Sequence, residues 1–89
     1  MKPYRMNTRS TDILIDYIHQ RVLNGRNEIT VTSQDDLLTS GIVDSIGIMQ
    51  LIAFVEKEFD VKVPPEDMTL ENFLSIEAIV NYIERRKGV

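Results

Sequence analysis

Apolar residues separated by three or four positions occur in three stretches of the chain, and this spacing predicts three amphipathic helices. The first helix is expected to follow an N-cap at Ser10 or Thr11 and to end at Asn24-Gly25. Residues 1–9 are polar and lack the spacing, so they are predicted to form a mobile tail before a single domain at residues 10–89. The predicted core-facing side of this helix, with Tyr17 at one edge, comprises Leu14, Ile15, Ile18 and Val22.

The second helix is predicted from Ser45 to Phe59, and its apolar residues fall on two sides. The broad side, which is expected to face the core, comprises Ile48, Leu51, Ile52, Val55 and Phe59. Ile46, Met49 and Ala53 lie nearly opposite, where a surface helix is normally polar. They are either scattered exposed apolar residues, which are common, or a small docking patch, and their position just after Ser45 favours the patch.

The remaining apolar residues predict a short helix and a final long one. Thr69 is expected to cap the short helix, Leu70 to Leu74, and Ser75 to cap the last, which Gly88 ends. Pro64-Pro65 is expected to exclude helix before the short one. The apolar contacts of the short helix are predicted to be Leu70, Phe73 and Leu74. The core-facing side of the last helix comprises Ile76, Ile79, Val80 and Ile83. The predicted fold is therefore all-α: a small four-helix bundle of three main helices and one short helix, with a long loop between helices one and two.

That loop runs from residue 26 to residue 43. Ile29 and Val31 alternate with polar residues, which permits a short strand, but no other stretch alternates as a partner, so an ordered loop is favoured. Residues 35–38 are expected to form a turn of helix, because loops of this length commonly include one. The residues expected to fix the loop to the core are Leu37, Leu38 and Ile42.

Composition and charge narrow the classes of function. The chain has 89 residues, no cysteine and a net charge of −4. The acidic residues are concentrated in residues 31–89, which carry eleven acidic and five basic side chains. This distribution excludes nucleic acid as an expected partner and favours proteins with basic patches. No apolar run is long enough to span a membrane, and no apolar segment of a signal peptide follows the first basic residues, so a cytoplasmic location is expected. The chain is also expected to be a monomer.

Ser45 is the main candidate for chemistry, because it lies at the start of the second helix. A nucleophilic serine needs a neighbouring base, and the only histidine, His19, is predicted to point away from the core on the first helix. No residue spacing matches a metal site, so the chain is not expected to be an enzyme. A helix N-terminus does suit a phosphate group, through its free N–H groups and its dipole. The alternative is that Asp44 or Ser45 only caps the helix.

Longer motifs favour the first interpretation. Residues 35–46 (DDLLTSGIVDSI), residues 55–64 (VEKEFDVKVP) and residues 72–83 (NFLSIEAIVNYI) resemble, in this order, the modification motif and later helices of acyl carrier proteins. The resemblance covers residues 11–87. It implies that Ser45 bears 4′-phosphopantetheine, transferred from coenzyme A by a magnesium-dependent phosphopantetheinyl transferase. The arm's thiol would hold an acyl or aminoacyl group as a thioester, and Asp44 would help to hold a cation near the phosphate during transfer.

The resemblance also implies partners. Besides the transferase, these are an acyl- or aminoacyl-activating ligase and acyl transferases or synthases of lipid or secondary metabolite biosynthesis, and Ile46 and Met49 match the family's recognition positions. Gly47 and Gln50 stand where carriers of fatty acid synthesis typically have acidic residues. In this respect the chain is similar to D-alanyl carrier proteins, which indicates a role outside housekeeping fatty acid synthesis. The alternative function is an unmodified helical interaction domain that retains the carrier fold.

Overall fold

The computed structural model describes residues 8–23 and 31–88. Within these ranges the chain forms four α-helices and no strand. This confirms the predicted all-α bundle with one short helix. The helices are α1 (Thr8–Tyr17), α2 (Ser45–Phe59), α3 (Leu70–Phe73) and α4 (Ile76–Lys87). Residues 1–7 of the predicted tail and the predicted Asn24-Gly25 helix end lie outside the described residues.

The first helix differs from the prediction at both of its described ends. It begins at Thr8, so Ser10 is not an N-cap but a buried residue inside the helix. After Tyr17 the helix widens into a π turn at Ile18–Val22, in which Leu23 N donates to Ile18 O over 2.9 Å. A π turn adds one residue per turn, so the residue below Ile18 on the core side becomes Leu23, and Leu23 is buried while Val22 is only partly buried.

The second helix has the predicted limits, Ser45 to Phe59. Asp44 is its N-cap, and Asp60 ends it in the left-handed conformation with φ 55°. Leu51, Ile52 and Val55 are buried as predicted. At the two ends of the same side, Ile48 and Phe59 are only partly buried against the core. Phe59 was predicted to face the core, but the phenylalanine ring that is buried there is that of Phe73, which is 2% exposed.

The described part of the connection before α2, residues 31–44, contains no turn of helix, so the turn predicted at residues 35–38 is wrong. Leu37 is completely buried, and its backbone N–H donates to Leu74 O over 2.8 Å. Glu77 N, in the first turn of α4, donates to Ser33 O over 2.8 Å. Leu38 and Ile42 pack against the core from the outside, so the prediction that these apolar residues fix the loop is confirmed.

The segment between α2 and α4 also departs from the prediction. Pro64-Pro65 was expected to exclude helix, but Pro65–Asp67 forms a 3₁₀ turn, in which Pro65 takes the first position and no N–H is needed. Helix α3 ends at Phe73 rather than Leu74, and Thr69 makes no capping hydrogen bond with its side chain. Leu70 was predicted to be an apolar contact but is 54% exposed.

The last helix confirms its prediction. Ser75 Oγ accepts a hydrogen bond from Ala78 N over 3.1 Å, and Gly88 ends the helix. Tyr82 is also buried, and the prediction missed it. Its ring packs on Phe73 with centroids 5.5 Å apart, and its hydroxyl donates to Asp67 Oδ2 over 2.7 Å. Helix α4 thus joins α1 and α3 around one core. No helix in the described ranges is long and apolar enough to cross a membrane.

Candidate functional site

Ser45 lies exposed at the first position of α2, and Asp44 immediately before it is the cap. Asp44 Oδ1 accepts a hydrogen bond from Gly47 N over 2.7 Å, and Asp44 O accepts one from Ile48 N over 2.9 Å. Because Asp44 satisfies these donors, Ser45 is not needed to cap the helix. In the described part of the chain, the Ser45 hydroxyl makes no hydrogen bond to another residue, so it is available for modification.

The start of α2 also favours a negatively charged group electrostatically. The backbone N–H groups of Ser45 and Ile46 have no acceptor among the described residues. Unpaired N–H groups and the helix dipole together place positive potential at this end of α2. A phosphate ester on Ser45 would lie in that potential, which is the arrangement that helix N-termini offer to phosphates.

The loop leading to α2 is held by side-chain hydrogen bonds. Asp36 accepts from the Thr39 hydroxyl and from the backbone N–H groups of Thr39 and Leu38. These donors, the Thr39 hydroxyl first among them, lower the pKa of the Asp36 carboxyl. Gly41 follows with φ 85°, a conformation that other residues seldom adopt. Ser45 is thus presented by an ordered turn.

Gly47 was grouped in the sequence with the partner-binding positions, but it is buried. A Cβ atom at this position would lie 3.1 Å from Asp44 Oδ1 and 3.1 Å from Val43 Cγ1. A glycine here therefore leaves room for the capping carboxylate and for Val43. Gly47 contributes little surface to a partner, whereas the neighbouring candidate Gln50 is exposed.

An exposed apolar surface begins one residue after Ser45. Ile46 is 70% exposed and Met49 is 60% exposed, and Ala53 on the next turn is also exposed. The structure adds Met68 and Leu70, which line a cleft of about 270 Å³ together with Met49. Leu70 was predicted to be an apolar contact of the short helix. The period of α2 alone could not show that a separate segment lies beside the exposed side of α2.

A second cleft lies on the other side of the start of α2. It has a volume of about 510 Å³ and runs between the π turn and the first two turns of α2. Arg21, Ser40, Asp44 and Gln50 give it a polar lining. The sequence analysis did not identify Arg21, because the π turn that carries it has no signature in the apolar spacing.

Nothing in the described ranges resembles a catalytic or metal centre. No group of three or more His, Asp or Glu residues in those ranges is arranged to hold a metal ion. His19 is partly exposed on the π turn and does not line the cleft beside Ser45. The geometry offers an accessible hydroxyl for modification rather than a set of groups that could activate it.

Comparison with known proteins agrees with this geometry. A family model described as the phosphopantetheine attachment site matches residues 16–83. D-alanyl carrier proteins of Streptococcus pyogenes, from serotype M5 (strain Manfredo), serotype M49 (strain NZ131) and serotype M1, are each 28% identical to this chain over 57 residues. The matched part is 64% of this chain and 72% of each relative. Members of the matched family bear 4′-phosphopantetheine covalently on a serine and are carriers rather than catalysts. The match spans most of the chain, which therefore belongs to the phosphopantetheine-bearing family of acyl and peptidyl carrier proteins.

Proposed function

We propose that Ser45 is the serine that bears 4′-phosphopantetheine, and that the chain carries an acyl or aminoacyl group between enzymes. The observation that carries the proposal is the exposed, unpaired Ser45 hydroxyl at a helix start that Asp44 already caps. When attached, the arm supplies a terminal thiol that holds the cargo as a thioester. The loading and unloading enzymes are proposed to carry out the chemistry, since the described residues include no group arranged to activate Ser45.

The chain's residues have separate roles in attachment. A phosphopantetheinyl transferase would join the Ser45 oxygen to the pantetheine-side phosphorus of the coenzyme A pyrophosphate. The pyrophosphate bond breaks, 3′,5′-ADP leaves, and the hydroxyl proton passes to the transferase or to solvent. Asp44 keeps one oxygen on Gly47 N and has a second oxygen that can face a divalent cation in the transferase complex. Ile46 and Met49 are exposed beside the serine and provide apolar contacts for the transferase and later partners.

The cargo is proposed to be aminoacyl rather than a long fatty acyl chain. Two observations support this choice: the relatives are named as D-alanyl carrier proteins, and Gln50 is uncharged on the exposed side of α2. The loading enzyme would then be an aminoacyl-activating ligase. Incubation of the phosphopantetheine-bearing protein with such a ligase, ATP and either D-alanine or fatty acids tests this, and only the amino acid is expected to form a thioester.

Intact mass after incubation with coenzyme A and a broad-specificity phosphopantetheinyl transferase tests the attachment. Wild type should gain the mass of one phosphopantetheine, and Ser45→Ala should gain none while keeping the wild-type circular dichroism spectrum. Ser33→Ala is the matched control, since it removes another serine hydroxyl from the loop before α2, and it should be modified as wild type is. A Ser45→Ala protein that is still modified would disprove the assignment. A wild type that is never modified would favour the unmodified interaction domain.

A further inference from the structure

We infer that the polar cleft between the π turn and α2 holds the inner part of the prosthetic arm, and that Arg21 pairs with the arm's phosphodiester. This inference rests on the proposed attachment at Ser45, and it assigns a binding role to a residue of α1's extension. It also distinguishes the two clefts that flank the modified serine.

The first support is the position of the cleft relative to Ser45. Asp44 and Ile46, the two chain neighbours of Ser45, both line it. Ser45 itself does not line the cleft, so an arm attached to its oxygen would enter the cleft across the surface between these two neighbours. Ser40 and Gln50 also line the cleft, and they offer side-chain hydrogen-bonding groups suited to the amides of a pantetheine arm.

The second support is charge. A phosphodiester keeps one negative charge, and Arg21 is the cation among the described residues that line this cleft. Arg21 is exposed, and within residues 8–23 and 31–88 it makes no ion pair or hydrogen bond through its side chain. The planar guanidinium offers two parallel N–H donors, which suit two oxygens of one phosphate. The apolar cleft on the other side of α2 has no charged side chain among the described residues that line it.

The third support is that packed contacts fix the Arg21 backbone beside α2. Tyr17 stacks on Phe54 with ring centroids 4.0 Å apart, and its hydroxyl donates to Gln50 O over 3.3 Å. Val22, next to Arg21, approaches α2 at Gly47, where a Cβ would lie 4.0 Å from Val22 Cγ1. These contacts hold the π turn against the first two turns of α2, so the guanidinium is tethered at the cleft instead of sampling a distant surface.

The test compares backbone amide NMR shifts of the ¹⁵N-labelled full chain before and after phosphopantetheine attachment. Wild type should shift at Gly41, Ile42 and Gln50, and at the Arg21 side-chain Nε–H. Arg21→Gln should lose most of these shifts while its intact mass still shows one phosphopantetheine, and Arg21→Lys should keep part of them. An exposed ion pair changes the occupancy of the contact between its two partners about two- to fivefold. Added salt screens the pair, so it should reduce the wild-type shifts as Arg21→Gln does.

Arg9→Gln is the matched control, because it removes the same charge from the same helix twelve residues earlier, roughly 18 Å away along the axis. Its shifts should equal those of wild type. If modified Arg21→Gln shows the wild-type shifts, or if the wild-type shifts fall at Met49, Met68 and Leu70 instead, the inference is wrong and the attachment at Ser45 still stands. If wild type gains no phosphopantetheine, both proposals fail together.

Discussion

At the scale of single residues, Asp44 and Ser45 divide two tasks that the sequence could not separate. The Asp-Ser dipeptide before an apolar helix fits either residue as the cap. In the structure the carboxylate of Asp44 is hydrogen-bonded to Gly47 N, and the hydroxyl of Ser45 is left exposed. The position of greatest interest for modification is therefore one whose substitution should leave the fold intact.

Asp44 variants should separate its structural role from its role in attachment. Asp44→Ala should lower the free energy of unfolding by about 0.5–2 kcal/mol, because the Gly47 N–H loses its acceptor. Asp44→Ser keeps a capping oxygen and should unfold within a few tenths of a kcal/mol of wild type. Both should be modified more slowly by the transferase, since neither retains a carboxylate for a divalent cation. Urea unfolding and intact-mass time courses measure the two effects. If Asp44→Ser were modified at the wild-type rate, Asp44 would be a cap alone.

At the scale of the helices, the sequence predicted α2 and α4 closely because each begins and ends on a local signal. Asp44 caps α2, Ser75 caps α4, and Gly88 is a residue type preferred at the end of a helix such as α4. Within each of the two helices the apolar spacing has a single period. The exposure of Ile46 and Met49 also followed from that period, since a residue opposite a buried stripe faces solvent.

The departures occurred where structure depends on contacts between distant segments. The π turn at Ile18–Val22 changes the helical period partway along the chain, so a constant 3.6-residue spacing misplaced Val22 and Leu23. Leu70 looked like a core residue in a short helix, but Phe73 alone on that helix is buried. The polar cleft with Arg21 likewise requires α1 and α2 to be placed side by side, which spacing within one segment does not give.

Phe73 and Phe59 provide a test of where the core lies. Phe73→Ala should lower the free energy of unfolding by about 3–5 kcal/mol, because Phe73 is 2% exposed and packs on Tyr82. Phe59→Ala should cost clearly less, since Phe59 is only partly buried at the end of α2. Met49→Ala, at an exposed site, should change stability by no more than about 0.5 kcal/mol. Equal midpoints for the two phenylalanine variants in urea would contradict this order.

Tyr82 connects α4 to the 3₁₀ turn and should make stability depend on alkaline pH. Burial first, and then the hydrogen bond to Asp67, raise the pKa of Tyr82 from 10.0 to about 12. The folded protein thus holds the phenol proton more tightly than the unfolded chain does. The resulting stabilisation is fully present below pH 10 and is lost as pH rises toward 12.

Tyr82→Phe isolates this contribution. The difference in unfolding free energy between wild type and Tyr82→Phe should be constant near neutral pH and should shrink above about pH 10, by at most about 3 kcal/mol. Urea unfolding of both proteins at several values between pH 8 and pH 11.5 measures it. A difference that stays constant throughout this interval would show that the hydroxyl titrates alike in the folded and unfolded chains.

At the scale of the whole molecule, charge and exposed apolar surface act over different ranges. Residues 31–89 carry eleven acidic and five basic side chains, so the surface around α2 should attract partners with basic patches from a distance. At contact, the exposed residues of α2 in the stretch 46–53 are apolar or uncharged: Ile46, Met49, Gln50 and Ala53. A carrier must leave each enzyme after transfer, so weak and salt-sensitive docking suits this surface.

Gln50→Glu should change which enzymes accept the protein, because it adds a negative charge on the exposed side of α2 five residues after Ser45. A malonyl transferase of fatty acid synthesis that pairs basic residues with its carrier should transfer to this variant faster than to wild type, and the aminoacyl ligase should load it more slowly. Gly47 is left unchanged, since a side chain there would crowd the Asp44 cap. Gln34→Glu is the matched control: it gives the same net charge in the loop beside the start of α4 and tests long-range attraction alone. If Gln34→Glu accelerated transfer as much as Gln50→Glu, net charge rather than the charge at position 50 would set the preference. If wild type already matched Gln50→Glu with the transferase, position 50 would have no part in selecting the pathway.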